Sequence, residues 1–103
     1  MLYLIYMEKT RVSLNNTNKP EDGMCSNKYP NDGSHINVVG KRRILIYSAS
    51  ANGLLEVVFK GKKQNEIIQG ENNAIDIPED CEGISFQLSN QDYSVAKFIF
   101  EVI

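Results

Sequence analysis

In Val95-Ala-Lys-Phe-Ile-Phe-Glu-Val-Ile103 every second residue from Ala96 to Val102 is apolar, and both charged residues lie at positions between them; Ile84-Ser-Phe-Gln-Leu88 alternates between apolar and polar residues throughout. Successive side chains of a β-strand point to opposite faces of a sheet, so this alternation predicts two strands that each bury one face. No stretch with the 3.6-residue apolar period is long enough to predict a helix. The positions expected to face the core are Ile84, Phe86 and Leu88, then Ala96, Phe98, Phe100 and Val102.

The dipeptide Asn52-Gly53 is a strong local signal for a β-hairpin. It separates two runs rich in branched residues, 43–49 and 54–60. Asn and Gly both tolerate the positive φ that a two-residue type I′ turn requires at its central positions. We therefore predict a hairpin in which Ile46 lies opposite Phe59.

The predicted hairpin has two unequal faces. One face consists of apolar residues and belongs in the core: Ile44, Ile46, Leu55, Val57 and Phe59. The other face combines Glu56 with four apolar residues. A face in contact with water usually carries fewer apolar residues, so we expect another surface to cover this face. The four residues are Leu45, Tyr47, Leu54 and Val58. Leu45, Tyr47 and Val58 are the candidate protein interface or sugar-binding platform.

Further strands are expected wherever short apolar runs lie between clusters of Gly, Asn, Asp and Pro. The run from Leu2 to about Leu14 is predicted to form one long strand or two strands broken near Glu8, and two short strands are expected near 66–69 and 74–77. Residues 15–35 contain Asn, Asp-Gly and Pro in quick succession and are predicted to form one long polar loop.

Length and composition indicate the class of protein. The chain has 103 residues, of which 42% are hydrophobic and 23% are charged, as in one ordinary globular domain. We therefore predict an all-β chain that folds as a single antiparallel β-sandwich over residues 1–103. About seven strands are expected, in an immunoglobulin-like or a jelly-roll arrangement. The net charge of −2 excludes a dedicated, strongly basic nucleic-acid binder.

No targeting signal is predicted from the sequence. The apolar opening residues 1–7 have no basic residue before them and no small-residue cleavage site after them, so they do not predict a signal peptide. No apolar stretch approaches the roughly 20 residues that a membrane-spanning helix needs. We expect a soluble protein without a membrane partner, and free thiols at Cys25 and Cys81.

A metal or catalytic site finds little support. The segments Pro20-Glu-Asp-Gly-Met-Cys25 and Pro30-Asn-Asp-Gly-Ser-His35 share a pattern that, with Cys81, suggests a zinc site. The paired short spacings of a structural zinc site are absent, however, and Asp-Gly after Pro is also ordinary turn chemistry. Any catalytic triad would have to use His35, the single histidine. We expect no metal, no cofactor and no enzymatic activity.

Charge is unevenly distributed along the chain. The predicted hairpin brings six of the eleven basic residues together in one basic edge: Lys41, Arg42, Arg43, Lys60, Lys62 and Lys63. Five acidic residues lie between positions 71 and 82: Glu71, Asp76, Glu79, Asp80 and Glu82. Such an arrangement suits docking to an acidic partner, or head-to-tail packing between copies of the chain. The basic residues would equally serve to protect exposed strand ends from edge pairing.

Residues 40–103 resemble the second half of small jelly-roll modules found in carbohydrate-binding domains and in bacteriophage decoration or fibre proteins. The resemblance lies in Lys41-Arg-Arg-Ile-Leu-Ile-Tyr47, Asn52-Gly-Leu-Leu-Glu-Val-Val-Phe-Lys-Gly-Lys62, Ile77-Pro-Glu-Asp-Cys-Glu-Gly-Ile-Ser-Phe-Gln-Leu88 and the terminal strand. It implies a non-enzymatic role in attachment or assembly, and it carries over no binding residue.

The sequence is therefore consistent with two functions from different classes. The first is a structural or interaction module that works in several copies on a larger assembly, such as a virion, whose partner is another protein or further copies of itself. The alternative is a monomeric glycan-binding module. Tyr47 distinguishes them, because an assembly interface covers this ring and a sugar platform leaves it open.

Overall fold

The computed structural model describes residues 9–15, 26–47, 55–61, 65–68, 73–88 and 95–103. All regular structure in these segments is β-strand, as predicted. The nine strands are β1 (Thr10–Asn15), β2 (Lys28–Tyr29), β3 (Ile36–Asn37), β4 (Arg43–Ile46), β5 (Leu55–Lys60), β6 (Asn65–Ile68), β7 (Asn73–Asp76), β8 (Gly83–Leu88) and β9 (Val95–Val102).

The strands pair in a nested order, and every pair is antiparallel. β1 pairs with β9, β2 and β3 pair with β8, β4 pairs with β7, and β5 pairs with β6. The first sheet has the order β1-β9-β4-β7, and the second has the order β2-β8-β5-β6 with β3 also on β8. When β2 and β3 are taken as one interrupted strand, this is the strand order of an eight-stranded jelly roll. The β-sandwich prediction is thus confirmed, and the strand order that the sequence left open is settled.

The core lies between the two sheets and is built on aromatic rings. Phe86 of the second sheet contacts Phe98 and Phe100 of the first, with ring centroids 4.8 Å apart in both pairs. Complete burial of such a side chain contributes about 1.5–3 kcal/mol, and an aromatic pair adds roughly 0.5–1.5 kcal/mol. These three rings therefore hold the sheets together. The inward positions predicted for β8 and β9 are confirmed as buried, except Val102, which is partly buried against the core.

The hairpin predicted around Asn52-Gly53 is wrong. β4 lies in the first sheet between β7 and β9, whereas β5 lies in the second sheet between β6 and β8, so the two strands do not pair. Ile46 lies opposite Phe100 instead of Phe59. A turn signal reports only local backbone preference, whereas the choice of partner strand depends on which apolar faces can be buried together.

The inward face predicted for these two strands is nevertheless confirmed, because the two-residue period does not depend on the partner. All five predicted core residues are buried: Ile44, Ile46, Leu55, Val57 and Phe59.

The structure describes only part of the two segments predicted at the N-terminus, the first strand and the polar loop. β1 begins at Thr10 and buries Val12 and Leu14, while residues 1–8 of the predicted first strand lie outside the described residues. The predicted polar loop 15–35 contains the two-residue strand β2, and residues 16–25 lie outside the described part of the chain.

Candidate interaction surfaces

The outward face of the first sheet carries an apolar patch, defined here as Leu45, Tyr47, Ala74 and Ile99. Their chain neighbours Ile44, Ile46, Phe98 and Phe100 are buried, so alternation turns Leu45, Tyr47 and Ile99 away from the core. Leu45 lies opposite Ala74, and the backbone N–H of Tyr47 donates to the carbonyl of Ile99 at 2.8 Å. Leu45, Tyr47 and Ile99 are half-buried, and the described residues of the patch span three neighbouring strands.

Tyr47 is held in place within this patch by two charged neighbours. Its hydroxyl donates a hydrogen bond to the carboxylate of Glu101 on β9. The Lys9 ammonium lies 4.2 Å from the centroid of the ring, which is a cation–π distance. The hydrogen bond to Glu101, followed by burial and by the negative charge of Glu101, raises the pKa of the Tyr47 hydroxyl above its ordinary value. The ring therefore has both its hydroxyl and one face engaged.

Charged residues border the patch on two sides. At the start of β4, the Nε of Arg43 donates to the carboxylate of Asp76 at 3.1 Å, and both side chains are exposed. On the β1 side, Arg11 and Lys97 line a shallow groove of about 350 Å³ together with Ile99. An apolar centre with a polar rim is the composition of a protein interface.

Val58 lies on the opposite surface of the molecule. It belongs to β5 and faces outward from the second sheet, opposite Ser85. Its surroundings are polar, since Gln87 donates a hydrogen bond to Glu56 at 3.2 Å on the same face. The grouping of Val58 with Leu45 and Tyr47 depended on the hairpin and is wrong, because the residues project from two different sheets.

The predicted basic edge is divided between the two sheets. Lys60 ends β5 opposite Gly83, where β8 begins, and the residues that lead into β4 lie beside the end of β7. The chain passes from the end of β7 to the start of β8, so Lys60 and the residues that lead into β4 lie at the same end of the sandwich. The connection from β7 to β8 brings them there, and the predicted hairpin does not. The residues before β4 and at its start are Lys41, Arg42 and Arg43. Lys62 and Lys63 lie outside the described residues.

Two hydrogen-bonded turns lie side by side at this end of the sandwich. In the first turn, the N–H of Lys41 donates to the carbonyl of Val38 at 2.9 Å. In the second, the N–H of Cys81 donates to the carbonyl of Pro78 at 3.1 Å. The N–H of Val38 donates to the carbonyl of Glu82 at 3.0 Å and joins the two turns. The basic and acidic segments that the sequence separates are therefore neighbours in the fold.

The positions of the described candidate ligands give no support to the zinc site suggested by the sequence. The thiol of Cys81 is buried and donates to the carbonyl of Gly83 at 3.0 Å, whereas His35 is exposed on the second sheet. The His35 ring covers Gly83 so closely that a Cβ at position 83 would lie 1.8 Å from its Cδ2. Cys25 is outside the described residues. Within those residues, no group of three or more His, Cys, Asp or Glu side chains is placed to hold a metal ion.

Several residues of these surfaces were missed in the sequence. Ile99 and Glu101 were expected to face outward, but only the β4–β9 pairing shows that they adjoin Leu45 and Tyr47. Val39, which is 66% exposed, is the same residue type as buried Val38, so residue type alone does not distinguish them. The signal available in advance was Gly40, whose φ of +81° permits the turn that presents Val39.

No protein family, no curated protein and no solved structure matches this chain. In the part of the chain that the structure describes, no helix has the length and apolarity needed to cross a membrane.

Proposed function

We propose that this chain is a non-enzymatic structural or interaction module that works in several copies on a larger assembly, for instance as a decoration or fibre protein of a virion. The single observation that carries the proposal is the apolar patch on the first sheet, with Tyr47 held between Glu101 and Lys9. Jelly rolls serve in viral capsids and also in lectins, so the fold alone does not choose between assembly and glycan binding. The choice between assembly and glycan binding therefore depends on the side chains that the two sheets expose.

The contrast between the two outward faces favours assembly. On strands β5 and β8, the part of the second sheet whose outward side chains are described, Ser85, Gln87 and Glu56 lie around Val58, which suits contact with water. The first sheet presents Leu45 and Ile99 at its centre, which suits contact with protein. Apolar surface that is half-buried in one copy becomes fully buried when another copy packs on it, at a gain of about 25 cal/mol per Å².

Glycan binding is the second candidate, and Tyr47 is the residue that keeps it under consideration. A sugar ring stacks on an open aromatic face. Here the Lys9 ammonium lies over the Tyr47 ring, and Glu101 takes the hydroxyl that would otherwise bind a sugar hydroxyl. A sugar would have to displace Lys9 or approach the other side of the ring, so the assembly function is favoured.

Light scattering of the purified chain over a range of concentrations, together with a glycan array, tests the choice. The proposal expects a mass that rises with concentration and no sugar signal above background. A monomer at every concentration that binds one class of glycan would overturn the assembly function and establish the alternative.

A further inference from the structure

The end of the sandwich carries opposite charges on its two adjacent turns. The first turn leads into Lys41 and Arg42, and the second carries Glu79 and leads into Glu82; all four side chains are exposed. Residues of both turns line one open cleft of about 300 Å³. We name Val39 and these four residues the turn surface. Arg43 is not included, because its guanidinium is paired with Asp76.

We propose that the turn surface binds the same surface of a second copy of this chain across a two-fold axis. Head-to-tail packing needs complementary charges on two separate surfaces, whereas the fold places both signs on one. Such a surface is complementary to itself, because a two-fold rotation can bring the basic turn of each copy onto the acidic turn of the other. Two complementary sets of charged contacts then form together. This inference rests on the proposed function, in which the chain works in several copies.

Val39 supplies the apolar part of this contact. Two-thirds of its surface is exposed, more than for any other large apolar residue described. Its position is fixed, because its N–H donates to the side chain of Asn37 at 2.9 Å and the turn closes between Val38 and Lys41. A small apolar residue held at the tip of a fixed turn loses little conformational entropy when a partner covers it.

The strength of the contact follows from its size and its charge. One pair of turns buries less than the roughly 800 Å² per partner of a standard interface. We therefore expect weak association that is detectable at high protein concentration and low ionic strength. Association should weaken as salt increases, since exposed charges about 10 Å apart are screened at 0.1 M ionic strength.

The experiment uses two charge-reversed variants of the full chain in analytical ultracentrifugation. One variant combines Lys41→Glu with Arg42→Glu, and the other combines Glu79→Lys with Glu82→Lys. Each variant alone places like charges against each other across the two-fold axis, so its dissociation constant for self-association should rise at least roughly tenfold. Mixed in equal amounts, the two variants place opposite charges at every contact, so the mixture should associate again.

Every outcome of this experiment decides the inference. Loss of association in each variant and its recovery in the mixture support two-fold pairing through the turn surface. Wild-type association that neither variant changes, or a wild type that is monomeric at low salt, would overturn this pairing; the proposed function is decided separately, by the light scattering together with the glycan array. Circular dichroism of both variants provides the folding control, because exposed charge changes contribute only about 0–1 kcal/mol to stability.

Discussion

Tyr47, the residue directly after β4, donates a hydrogen bond from its hydroxyl to the carboxylate of Glu101 on β9, on the outward face of the first sheet. The two residues lie on diagonal positions of the pairing, since Leu45 is directly opposite Glu101. The hydrogen bond fixes the aromatic ring over the apolar patch and joins two strands that are distant in sequence.

The first prediction concerns the titration of this pair. The hydrogen bond to Glu101 stabilises the protonated hydroxyl, so the pKa of Tyr47 is higher in the folded chain than in the unfolded chain. Between these two values the folded chain holds more protons, and its stability falls as pH rises. The contribution is therefore fully present below the ordinary tyrosine pKa of about 10 and is lost as pH rises through the folded value. The stability difference between wild type and Tyr47→Phe should disappear over that range.

Spectrophotometric titration of tyrosinate measures this directly, as wild type minus Tyr47→Phe. Glu101→Gln is the matched control, because it keeps the shape of the acceptor and removes the charge. Its Tyr47 should ionise at a lower pH than in the wild type. An unchanged titration curve in Glu101→Gln would show that the carboxylate does not hold the hydroxyl.

The second prediction concerns the bare backbone under His35. Alanine at position 83 would place its Cβ against the exposed imidazole ring, which must turn away, so Gly83→Ala should destabilise the fold by about 1 kcal/mol. In a His35→Ala background the same change should be neutral or stabilising, since alanine loses less backbone entropy than glycine on folding. Urea denaturation of the four proteins of this double-mutant cycle gives the coupling between the two positions. Additive effects would contradict the contact.

The third prediction concerns the aromatic core. Phe86→Ala removes a fully buried ring that contacts both Phe98 and Phe100, so it should cost about 3–5 kcal/mol. That is a large part of the roughly 5–15 kcal/mol that stabilises a typical domain. Ser85→Ala, on the outward side of the same strand, is the control and should change stability by less than about 0.5 kcal/mol. Equal thermal unfolding of the two variants would contradict the assignment of Phe86 to the core.

The fourth prediction concerns the exposed ion pair between Arg43 and Asp76. Both partners are more than half exposed, so the pair should contribute only about 0–1 kcal/mol. Arg43→Gln and Asp76→Asn should each leave the denaturation midpoint nearly unchanged, and the small effect should decrease in salt. A loss of several kcal/mol in either variant would show that the pair is structural.

The alternation of apolar residues was sufficient to predict the core, because the inward positions of a strand do not depend on its neighbour. Phe86, Phe98 and Phe100 were assigned correctly for this reason. The pairing of β4 was not predictable in the same way, because Asn52-Gly53 is a local signal and the nested jelly-roll pairing joins β4 to strands far along the chain. The error carried over to the surface, where Leu45 and Val58 were placed together although they lie on opposite sheets.

The distribution of charge in the fold could not be predicted either, because it depends on which distant strands pair. The sequence separates Lys41 and Arg42 from Glu79 and Glu82, and it therefore suggests two oppositely charged ends. The backbone hydrogen bond from Val38 to Glu82 places the two segments side by side. Only the strand order could reveal this, and it changes the expected packing from head-to-tail to two-fold.

The most direct test of the central claim is sedimentation equilibrium of Leu45→Glu compared with Val58→Glu, at an ionic strength high enough to screen the charged turn surface. Both substitutions put a carboxylate on a half-buried, outward-facing strand position, but Leu45 lies in the apolar patch and Val58 lies on the other sheet. If the outward face of the first sheet is the assembly contact, Leu45→Glu should raise the dissociation constant for self-association at least roughly tenfold, while Val58→Glu behaves as wild type. Equal association of both variants with the wild type would contradict the claim.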